Sequence, residues 1–385
     1  MSNSTLGNSN SPPPAGWQWV RLGGVCEEAK THDPTVYPDI PFRYIDISSI
    51  DTTHKRITEA RGVMGSDAPS RARQLVKAND VLVATTRPNL NAVVLVPSEL
   101  DGEICSTGFS VLRPTTMIDP LYLFYWVQTR DFVETVSGEV RGMLYPAVTD
   151  NQVRSIGIPL PPLPEQQRIV ARVQELMTEV EHARTACEEQ LEAAKALPSS
   201  YLRQVFESEE AKKWERKRLG EVCEFSNGKF IRREEIKAQG IYPVYGANGL
   251  IGFADRILLD KSVIIVGRVG SCGEINKSSG PAWITDNTIV LAPLKDLDFD
   301  FLYLALKTLK FEELRAASVQ PLITQSDLKA ALISVPCLSE QKRIADELND
   351  KIASVEKLKA DIEKQLEAIK ALPQAILRKA FLGEL

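Results

Sequence analysis

The sequence has 385 residues, of which 43% are hydrophobic and 25% are charged, a composition typical of soluble globular proteins. This length exceeds what one ordinary hydrophobic core organises, so it predicts at least two domains. The net charge of -5 argues against a protein that coats nucleic acid over its whole surface. No apolar run approaches the roughly 18 residues that would predict a membrane span.

The chain begins with MSNSTLGNSNSPPPAG, which contains neither a basic start nor an apolar core of a secretory signal. Its Ser, Asn, Gly and Pro content predicts a disordered tail over residues 1–15. The six cysteines are scattered and form no C-x-x-C pair. This pattern favours a reduced cytoplasmic protein with structural thiols over a disulfide scaffold or a zinc site.

Two stretches, 16–155 (module one) and 212–331 (module two), have the pattern of mixed α+β domains. Strand-like segments alternate with turn residues, and each module carries one apolar helical segment. The predicted strands are 42–50, 80–86 and 94–97 in module one and 262–267 and 287–293 in module two, and the predicted helices are 120–129 and 299–309.

The chain contains an internal repeat. Residues 146–206 align with 321–381 without a gap and share 23 identities over 61 positions. A second match opens each module, WQWVRLGGVCE from Trp17 and WERKRLGEVCE from Trp214. The order is therefore module, helical segment, module, helical segment, which predicts a pseudo-two-fold molecule because two repeats are too few for a solenoid.

The repeated helical regions, 156–211 and 332–385, carry apolar residues at heptad spacing. This pattern predicts an antiparallel coiled coil of two long helices that joins the modules; the alternative is that each helix packs on its own module. Gln190 and Gln365 are predicted on the seam, where a polar residue sets the register. Pro198 and Pro373 are expected to kink or restart the helices. The predicted seam comprises Ile169, Val173, Leu176 and Val180 in the first helix and Ile344, Leu348, Val355, Leu358 and Ile362 in the second.

The sequence contains few residues suited to catalysis. The three histidines are isolated from other metal ligands, so we predict no metal site. No G-x-x-x-x-G-K-[ST] phosphate loop is present, and the glycines of 267–273 lack the following helix of a dinucleotide site. There is also no N-P-P-Y or D-P-P-Y tetrapeptide of the kind that amino-methyltransferases use. These observations predict a binding protein, not an enzyme.

The ordered motifs resemble the specificity subunit of type I restriction-modification systems. The resemblance is carried by the two module openings, IPLPPLPEQQRIV from Ile158, the repeated QLEAxKALP, and the closing ILRKAFLGEL. RYIDISSID (43–51) and VYGANGLIGF (244–253) are similar to phrases of its two target-recognition domains.

The resemblance implies that each module reads one half of a bipartite, asymmetric site in double-stranded DNA. It implies that the helices set the spacing between the half-sites and dock two methyltransferase subunits. Two motor-nuclease (restriction) subunits are further expected partners. S-adenosylmethionine, ATP and Mg²⁺ would then belong to those partners, with no cofactor in this chain and a cytoplasmic location.

Residues that read base edges and phosphates are expected in polar, loop-like stretches of both modules. Module one has 14 Lys and Arg against 17 Asp and Glu, and module two has 18 against 15, so neither is uniformly basic. The partner subunits are therefore expected to supply part of the contact with phosphates. The candidates are Lys55, Arg56, Arg61, Arg71, Arg73 and Arg87 in module one and Lys229, Arg232, Arg233, Tyr245, Asn248 and Arg268 in module two.

The sequence leaves alternative functions open. A related bipartite-site type II system uses a similar specificity subunit, and the sequence does not separate the two. A coiled-coil scaffold without DNA affinity would use the modules for other partners. A self-sufficient methyltransferase or nuclease would need catalytic motifs that the sequence lacks.

Overall fold

The computed structural model describes residues 12–138, 147–269, 271–311 and 322–385. It divides into two compact units: the chain through Ala186 together with Gln365–Leu385, and Cys187–Lys364. The first 11 residues of the predicted tail lie outside the described residues, as do the first positions of the two repeat copies. The predicted domain boundaries remain predictions.

Module one lies in the first unit and consists of short strands and helices. Its strands are β1 (Gln18–Arg21), β2 (Cys26–Glu27), β3 (Pro41–Ile45), β4 (Ile50–Asp51), β5 (Arg56–Ile57), β6 (Arg61–Met64), β7 (Ala72–Leu75), β8 (Val81–Ala84), β9 (Val93–Leu95), β10 (Ile104–Ser106) and β11 (Phe109–Pro114), and β12 (Gly157–Leu160) follows at the start of the first repeated helical region. Its helices are α1 (Leu22–Val25), α2 (Pro120–Trp126), α3 (Arg130–Gly138) and α4 (Asp150–Ser155).

Two long helices, α5 (Leu163–Phe206) and α9 (Leu338–Phe381), follow the modules. Module two lies in the second unit. Its strands are β13 (Glu215–Arg218), β14 (Cys223–Asn227), β15 (Tyr242–Gly246), β16 (Gly249–Ala254), β17 (Ile264–Gly267), β18 (Ile275–Lys277), β19 (Trp283–Ile284) and β20 (Thr288–Pro293), and β21 (Leu332–Val335) follows at the start of the second repeated helical region. Its described helices are α6 (Leu219–Val222), α7 (Phe299–Leu306) and α8 (Gln325–Ala330).

The sheets of the two modules have corresponding strand orders. Module one contains an antiparallel sheet β2-β11-β8-β9 and a mixed sheet β6-β3-β10-β7, in which β3 and β10 are parallel. Module two contains the antiparallel sheet β14-β20-β17-β18 and the sheet β16-β15-β19, in which β15 and β19 are parallel. In each module the opening strand pairs with the strand before the long helix, β1 with β12 and β13 with β21. The predicted α+β class and internal repeat are confirmed.

The central strands are apolar on both faces because each sheet lies between two clusters. In β8, Val81 and Val83 belong to the cluster that includes the α2 residues, whereas Leu82 and Ala84 belong to a second cluster on the opposite face. Strand β17 alternates in the same way between two clusters. A strand buried on both faces reads as a continuous apolar run, and this run is what made these strands predictable.

A buried glutamine joins the start of each long helix to its module. In the first unit, Gln166 Oε1 accepts a hydrogen bond from the Asp119 N–H (2.8 Å). Gln166 Nε2 donates to the carbonyl oxygens of Met117 (3.1 Å) and Pro161 (2.9 Å). The side chain is fully buried, so these bonds satisfy groups that water does not reach.

The second unit repeats this arrangement. Gln341 Oε1 accepts from the Asp298 N–H (2.8 Å), and its Nε2 donates to the carbonyl oxygens of Asp296 (3.1 Å) and Pro336 (2.9 Å). Asp119 and Asp298 in turn form the N-caps of α2 and α7. The glutamine of the repeated Glu-Gln pair therefore fixes each long helix relative to the helix of its module.

The two long helices run antiparallel to each other in both units. In the first unit, the start of α5 (Ile169, Val173) shares an apolar cluster with the end of α9 (Leu377, Ala380). In the second unit, the end of α5 and the start of α9 share a cluster, through Leu202 and residues such as Ile344 and Leu348. The antiparallel arrangement is confirmed, and the alternative of each helix packing only on its own module is wrong.

The buried stripe of each helix follows most of the predicted seam but is shifted by one residue at some positions. Both helices begin with two steps of four residues before the heptad spacing of four and three sets in, so Met177 and Ile352 lie on the stripe. An α-helix has 3.6 residues per turn, and a second step of four compensates for the mismatch with a strict 3.5 repeat. The stripe residues that are buried or half-buried are Ile169, Val173, Met177, Val180, Arg184, Cys187, Leu191 and Ala194 in α5 and Ile344, Leu348, Ile352, Val355, Lys359, Ile362, Leu366 and Ile369 in α9.

The assignments of four predicted seam residues change as a result. Leu358 is 45% exposed and lies off the stripe, next to Lys359. Leu176 is half-buried at the side of the stripe, and its neighbour Met177 occupies the position on the stripe that was predicted for Leu176. The predicted register residues Gln190 and Gln365 are exposed, because their neighbours Leu191 and Leu366 occupy the stripe.

The helices continue through their prolines instead of restarting. Pro198 lies inside α5 and Pro373 inside α9. A proline removes one helical N–H···O bond and usually breaks a helix. Here, apolar residues beyond each proline, Leu202 and Leu377, remain buried in a module's cluster. This packing stabilises the helical turn that the proline weakens.

We predict that replacing either buried glutamine destabilises the protein. Gln166→Ala and Gln341→Ala each leave two carbonyl groups and one N–H without their partners, which costs about 2–4 kcal/mol. Urea unfolding followed by tryptophan fluorescence measures this loss. The exposed neighbours at equivalent repeat positions are the matched controls, and Gln167→Ala and Lys342→Ala should change stability by less than about 0.5 kcal/mol. Equal effects for the buried and exposed positions would contradict this role.

Candidate nucleic-acid interface

In module one a tight turn follows β4. The Asp51 carboxylate accepts hydrogen bonds from the backbone N–H groups of Thr53 (2.9 Å) and His54 (3.1 Å) and lies 2.7 Å from His54 Nδ1. These bonds, chiefly those from His54, lower the pKa of Asp51 to about 2. Lys55 follows with a left-handed backbone at φ 53°. The turn therefore presents Lys55 and Arg56 in succession beside an ionised carboxylate.

The Lys55 ammonium joins this hairpin to a second turn. Its Nζ donates to the Asn91 carbonyl oxygen at 2.6 Å. Burial lowers the pKa of Lys55, and the nearby Asp51 charge opposes this shift. Asn91 ends the short 3-10 turn Pro88–Leu90, which Arg87 precedes, and both flanking residues are left-handed, with φ of 46° and 50°. The β4–β5 hairpin and the Arg87 turn thus lie against each other.

The predicted cations of module one fall into two groups. Four are exposed: Arg56, Arg61, Arg71 and Arg87. Arg73 is half-buried, and its guanidinium donates to the carbonyl oxygens of Ala72 (2.8 Å) and Pro69 (3.3 Å) and lies 3.6 Å from the Asp33 carboxylate. Arg73 therefore stabilises its own loop, as Lys55 does with its neighbouring turn.

Backbone hydrogen bonds bring two of the exposed cations to the same edge of module one. The Thr107 N–H donates to the Arg71 carbonyl oxygen, and the Thr85 N–H donates to the Gly108 carbonyl oxygen, both at 2.8 Å. Thr85 precedes Arg87 by two residues. The loops that carry Arg71 and Arg87 are therefore neighbours, although they are distant from each other in the sequence.

In module two, the segment that begins at Gly228 packs on β19. A side chain at Gly228 would place its Cβ 1.9 Å from the Thr285 carbonyl oxygen, so only glycine fits there. The Lys229 N–H donates to the Ile284 carbonyl oxygen (2.8 Å), and Trp283 Nε1 donates to the Lys229 carbonyl oxygen (3.0 Å). These contacts hold the segment whose three cations are exposed: Lys229, Arg232 and Arg233.

The remaining candidates of module two lie at the carboxyl ends of β15 and β17. Tyr245 is half-buried on β15, and its carbonyl oxygen accepts from the Thr285 N–H (2.9 Å) beside the Lys229 segment. Asn248 is exposed in the β15–β16 turn. Arg268 follows β17, is half-buried, and its Nε has no hydrogen-bond partner among the described residues. Lys229, Tyr245, Asn248 and Arg268 thus lie near one another at this end of the sheets, whereas the segment with Arg232 and Arg233 leads towards the start of β15.

Two further residues belong to these clusters and were missed from the sequence. Asn91 belongs to the run Pro-Asn-Leu-Asn, whose asparagines are a turn signal because asparagine tolerates the left-handed region. Arg256 stacks on the Trp283 ring at 4.2 Å and lies 2.9 Å from Glu235. No local pattern indicates the Arg256 contacts, since its partners come from other elements.

The chemical groups of the two clusters indicate what they could bind. Across the described ranges, no three or more His, Cys, Asp or Glu side chains are grouped so that they could hold a metal ion. In the same part of the chain, no helix has the length and apolar character needed to cross a membrane. What the clusters offer is arginine, lysine and asparagine side chains on loops fixed by the sheets, which suits recognition of base edges and phosphates.

Comparison with known proteins agrees with this geometry. A family model described as type I restriction modification DNA specificity domain matches residues 14–192 and 211–368. A chain solved in a study of complex assembly and conformational transition of the type I R-M system is 35% identical, with a TM-score of 0.83, and the match covers 97% of this chain and 100% of that one. The crystal structure of the HsdS subunit from Thermoanaerobacter tengcongensis is 34% identical, with a TM-score of 0.74 and coverage of 98% and 99%.

Among curated proteins, the type I restriction enzyme EcoDI specificity subunit of Escherichia coli is 25% identical over 227 residues, which is 59% of this chain and 49% of that protein. The chain spans about half or less of the length of the curated relatives it matches. The two matched domains nevertheless cover most of the sequence. The chain therefore belongs to the type I restriction-modification DNA specificity family.

Proposed function

We propose that this chain is the DNA-recognition subunit of a type I restriction-modification complex. Each module reads one half of a bipartite, asymmetric site in double-stranded DNA. The observation that carries the proposal is one repeated scaffold with two unlike loop clusters. A single chain with two different readers recognises an asymmetric site, whereas a homodimer with identical readers recognises a palindrome.

The exposed cations are the side chains proposed to contact DNA. Arginine and lysine bind phosphates and, in the major groove, the O6 and N7 atoms of guanine, and asparagine pairs with adenine. In module one these are Arg56, Arg61, Arg71 and Arg87, and in module two Lys229, Arg232, Arg233 and Asn248. Because Lys55 and Arg73 use their charged groups on carbonyl oxygens of the protein, we assign them to loop structure.

The long helices are proposed to set the half-site spacing and to dock two methyltransferase subunits, with motor-nuclease subunits joining the complex. The similarity of the two repeat copies, which are identical at 23 of 61 positions, supports docking of two copies of one kind of partner. We further propose that the chain itself is not catalytic and acts in the cytoplasm. On this proposal S-adenosylmethionine, ATP and Mg²⁺ bind the partner subunits.

We predict that DNA binding depends on the methyltransferase partner. Module one carries more acidic than basic residues, so its own attraction to phosphates is weak. Gel-shift titration of the purified chain should show weak binding to duplex DNA. Adding the co-expressed methyltransferase subunit should give sequence-dependent binding at least about 1,000-fold tighter, the lower end of the usual margin of specific over non-specific binding. Equal binding with and without the partner would overturn the obligate complex.

A second prediction concerns the helices as a spacer. Inserting seven residues after Cys187 in α5 and after Ile362 in α9, equivalent positions of the repeat, preserves the heptad spacing. Seven residues lengthen a helix by about 10 Å. The gap between the half-sites should grow by about three base pairs while the bases read stay the same.

Sequencing of methylated DNA from host cells measures that gap. The control is a seven-residue insertion after Glu209, in the connector between α5 and module two, which should leave the gap unchanged. Altered bases, or an unaltered gap after the paired helix insertions, would show that the helices do not set the spacing.

A further inference from the structure

Strained backbone is concentrated in one part of module one. Among the described residues, four that are not glycine have a left-handed backbone: Lys55, Asn79, Arg87 and Asn91. Three of these meet where the β4–β5 hairpin contacts the Arg87 turn, since Lys55 Nζ donates to the Asn91 carbonyl oxygen. Left-handed residues with side chains are uncommon and collect at functional sites, where the surrounding structure holds them in place.

The contact between Lys55 and Asn91 joins a charged side chain to a main-chain oxygen. Lys55 is half-buried and supplies a charged donor to a carbonyl oxygen of the chain. The residues on either side of this contact, Arg56 and Arg87, are exposed, and the Arg56 side chain is 69% exposed. Asn91 contributes its main-chain oxygen, whereas its own buried Oδ1 has no hydrogen-bond partner in the described part of the chain. The Lys55–Asn91 bond thus connects two turns, each of which is flanked by an exposed arginine.

We propose that Lys55 is a positioning residue for DNA recognition. Its ammonium fixes the hairpin relative to the Arg87 turn, and thereby fixes Arg56 relative to Arg87 at the spacing that module one's half-site requires. This inference rests on the proposed function, because it assumes that the two arginines contact DNA. It assigns Lys55 itself no contact with phosphate or bases.

Salt dependence separates a positioning lysine from a phosphate-binding lysine. Each phosphate contact that is lost makes the dependence of log Kd on log salt concentration shallower by about one. Loss of a positioning contact weakens binding at every salt concentration and leaves the slope unchanged. Lys55→Met removes the ammonium and keeps an apolar chain of similar length, so it isolates the hydrogen bond.

The test uses the full chain with its co-expressed methyltransferase subunits and fluorescence anisotropy. The probe is a labelled duplex that carries the methylated motif found in host DNA, titrated between 50 and 300 mM KCl, a range of about sixfold. Lys55→Met should weaken binding about tenfold, as expected for one lost charge-assisted hydrogen bond, with the wild-type slope. Arg56→Gln and Arg87→Gln should each make the slope shallower by about one.

Substitutions at the acceptor provide a second line of evidence. Asn91→Gly retains both the left-handed backbone and the carbonyl oxygen, so it should bind DNA like the wild type. Asn91→Val disfavours that backbone and should weaken binding as Lys55→Met does. The matched control is Asn79→Val, at the opposite end of β8, where the residue is also left-handed at φ 69°. It should lower the melting temperature similarly and leave DNA affinity unchanged.

The outcomes are distinguishable. Absence of binding by the wild-type complex overturns the proposed function, and this inference with it. Wild-type affinity for Lys55→Met, or a slope shallower by about one, overturns the positioning role and leaves the proposed function standing. If Asn79→Val and Asn91→Val weakened DNA binding to the same degree, general destabilisation would explain the loss of affinity. That result would also overturn the positioning role of Lys55.

Discussion

Each long helix depends on one buried glutamine at its first turn. Gln166 and Gln341 each bond to three equivalent groups, the N–H of a helix N-cap and two carbonyl oxygens, with nearly identical distances. Because unpaired polar groups are costly in a protein interior, these bonds fix the direction in which each helix leaves its module. The far end of each helix contributes to an apolar cluster through Phe206 or Phe381, which contacts aromatic residues of α7 or α2. Each long helix is thus anchored at both ends, by a buried glutamine in one unit and by aromatic packing in the other.

The scaffold is shared between the halves, and the differences lie in the loops and their supports. Strand order, the opening strand pair and the N-caps recur in both modules. By contrast, module one holds a buried ion pair, Arg113 with Asp80 (2.7 Å), where the register places Ala292 and Val263 in module two. The loop clusters also differ, with a lysine-bridged pair of turns in one and a glycine-dependent segment on β19 in the other. Two unlike loop clusters on one scaffold agree with the proposed recognition of a site whose halves differ.

Much of the fold could be predicted because its signals are local or repeated. Twenty-three identities revealed the repeat, and continuous apolar runs revealed β8 and β17. The seam was less predictable, because Leu176 and Met177 are both apolar and only the geometry of the helix places Met177 on the buried stripe. The candidate site was predicted as ten cations with Tyr245 and Asn248, but the sequence did not separate exposed cations from those that bond to the protein itself. Lys55 and Arg56 are adjacent in the sequence, and the contact that separates their roles is with Asn91, in another loop.

The central claim is that one chain reads two different half-sites held at a fixed distance. Sequencing the methylated DNA of a host that expresses this chain with its methyltransferase subunit tests this claim most directly. The account predicts one new methylated motif with two unlike specified segments separated by a constant number of unspecified bases. A palindromic or continuous motif, or a gap that varies from site to site, would contradict it.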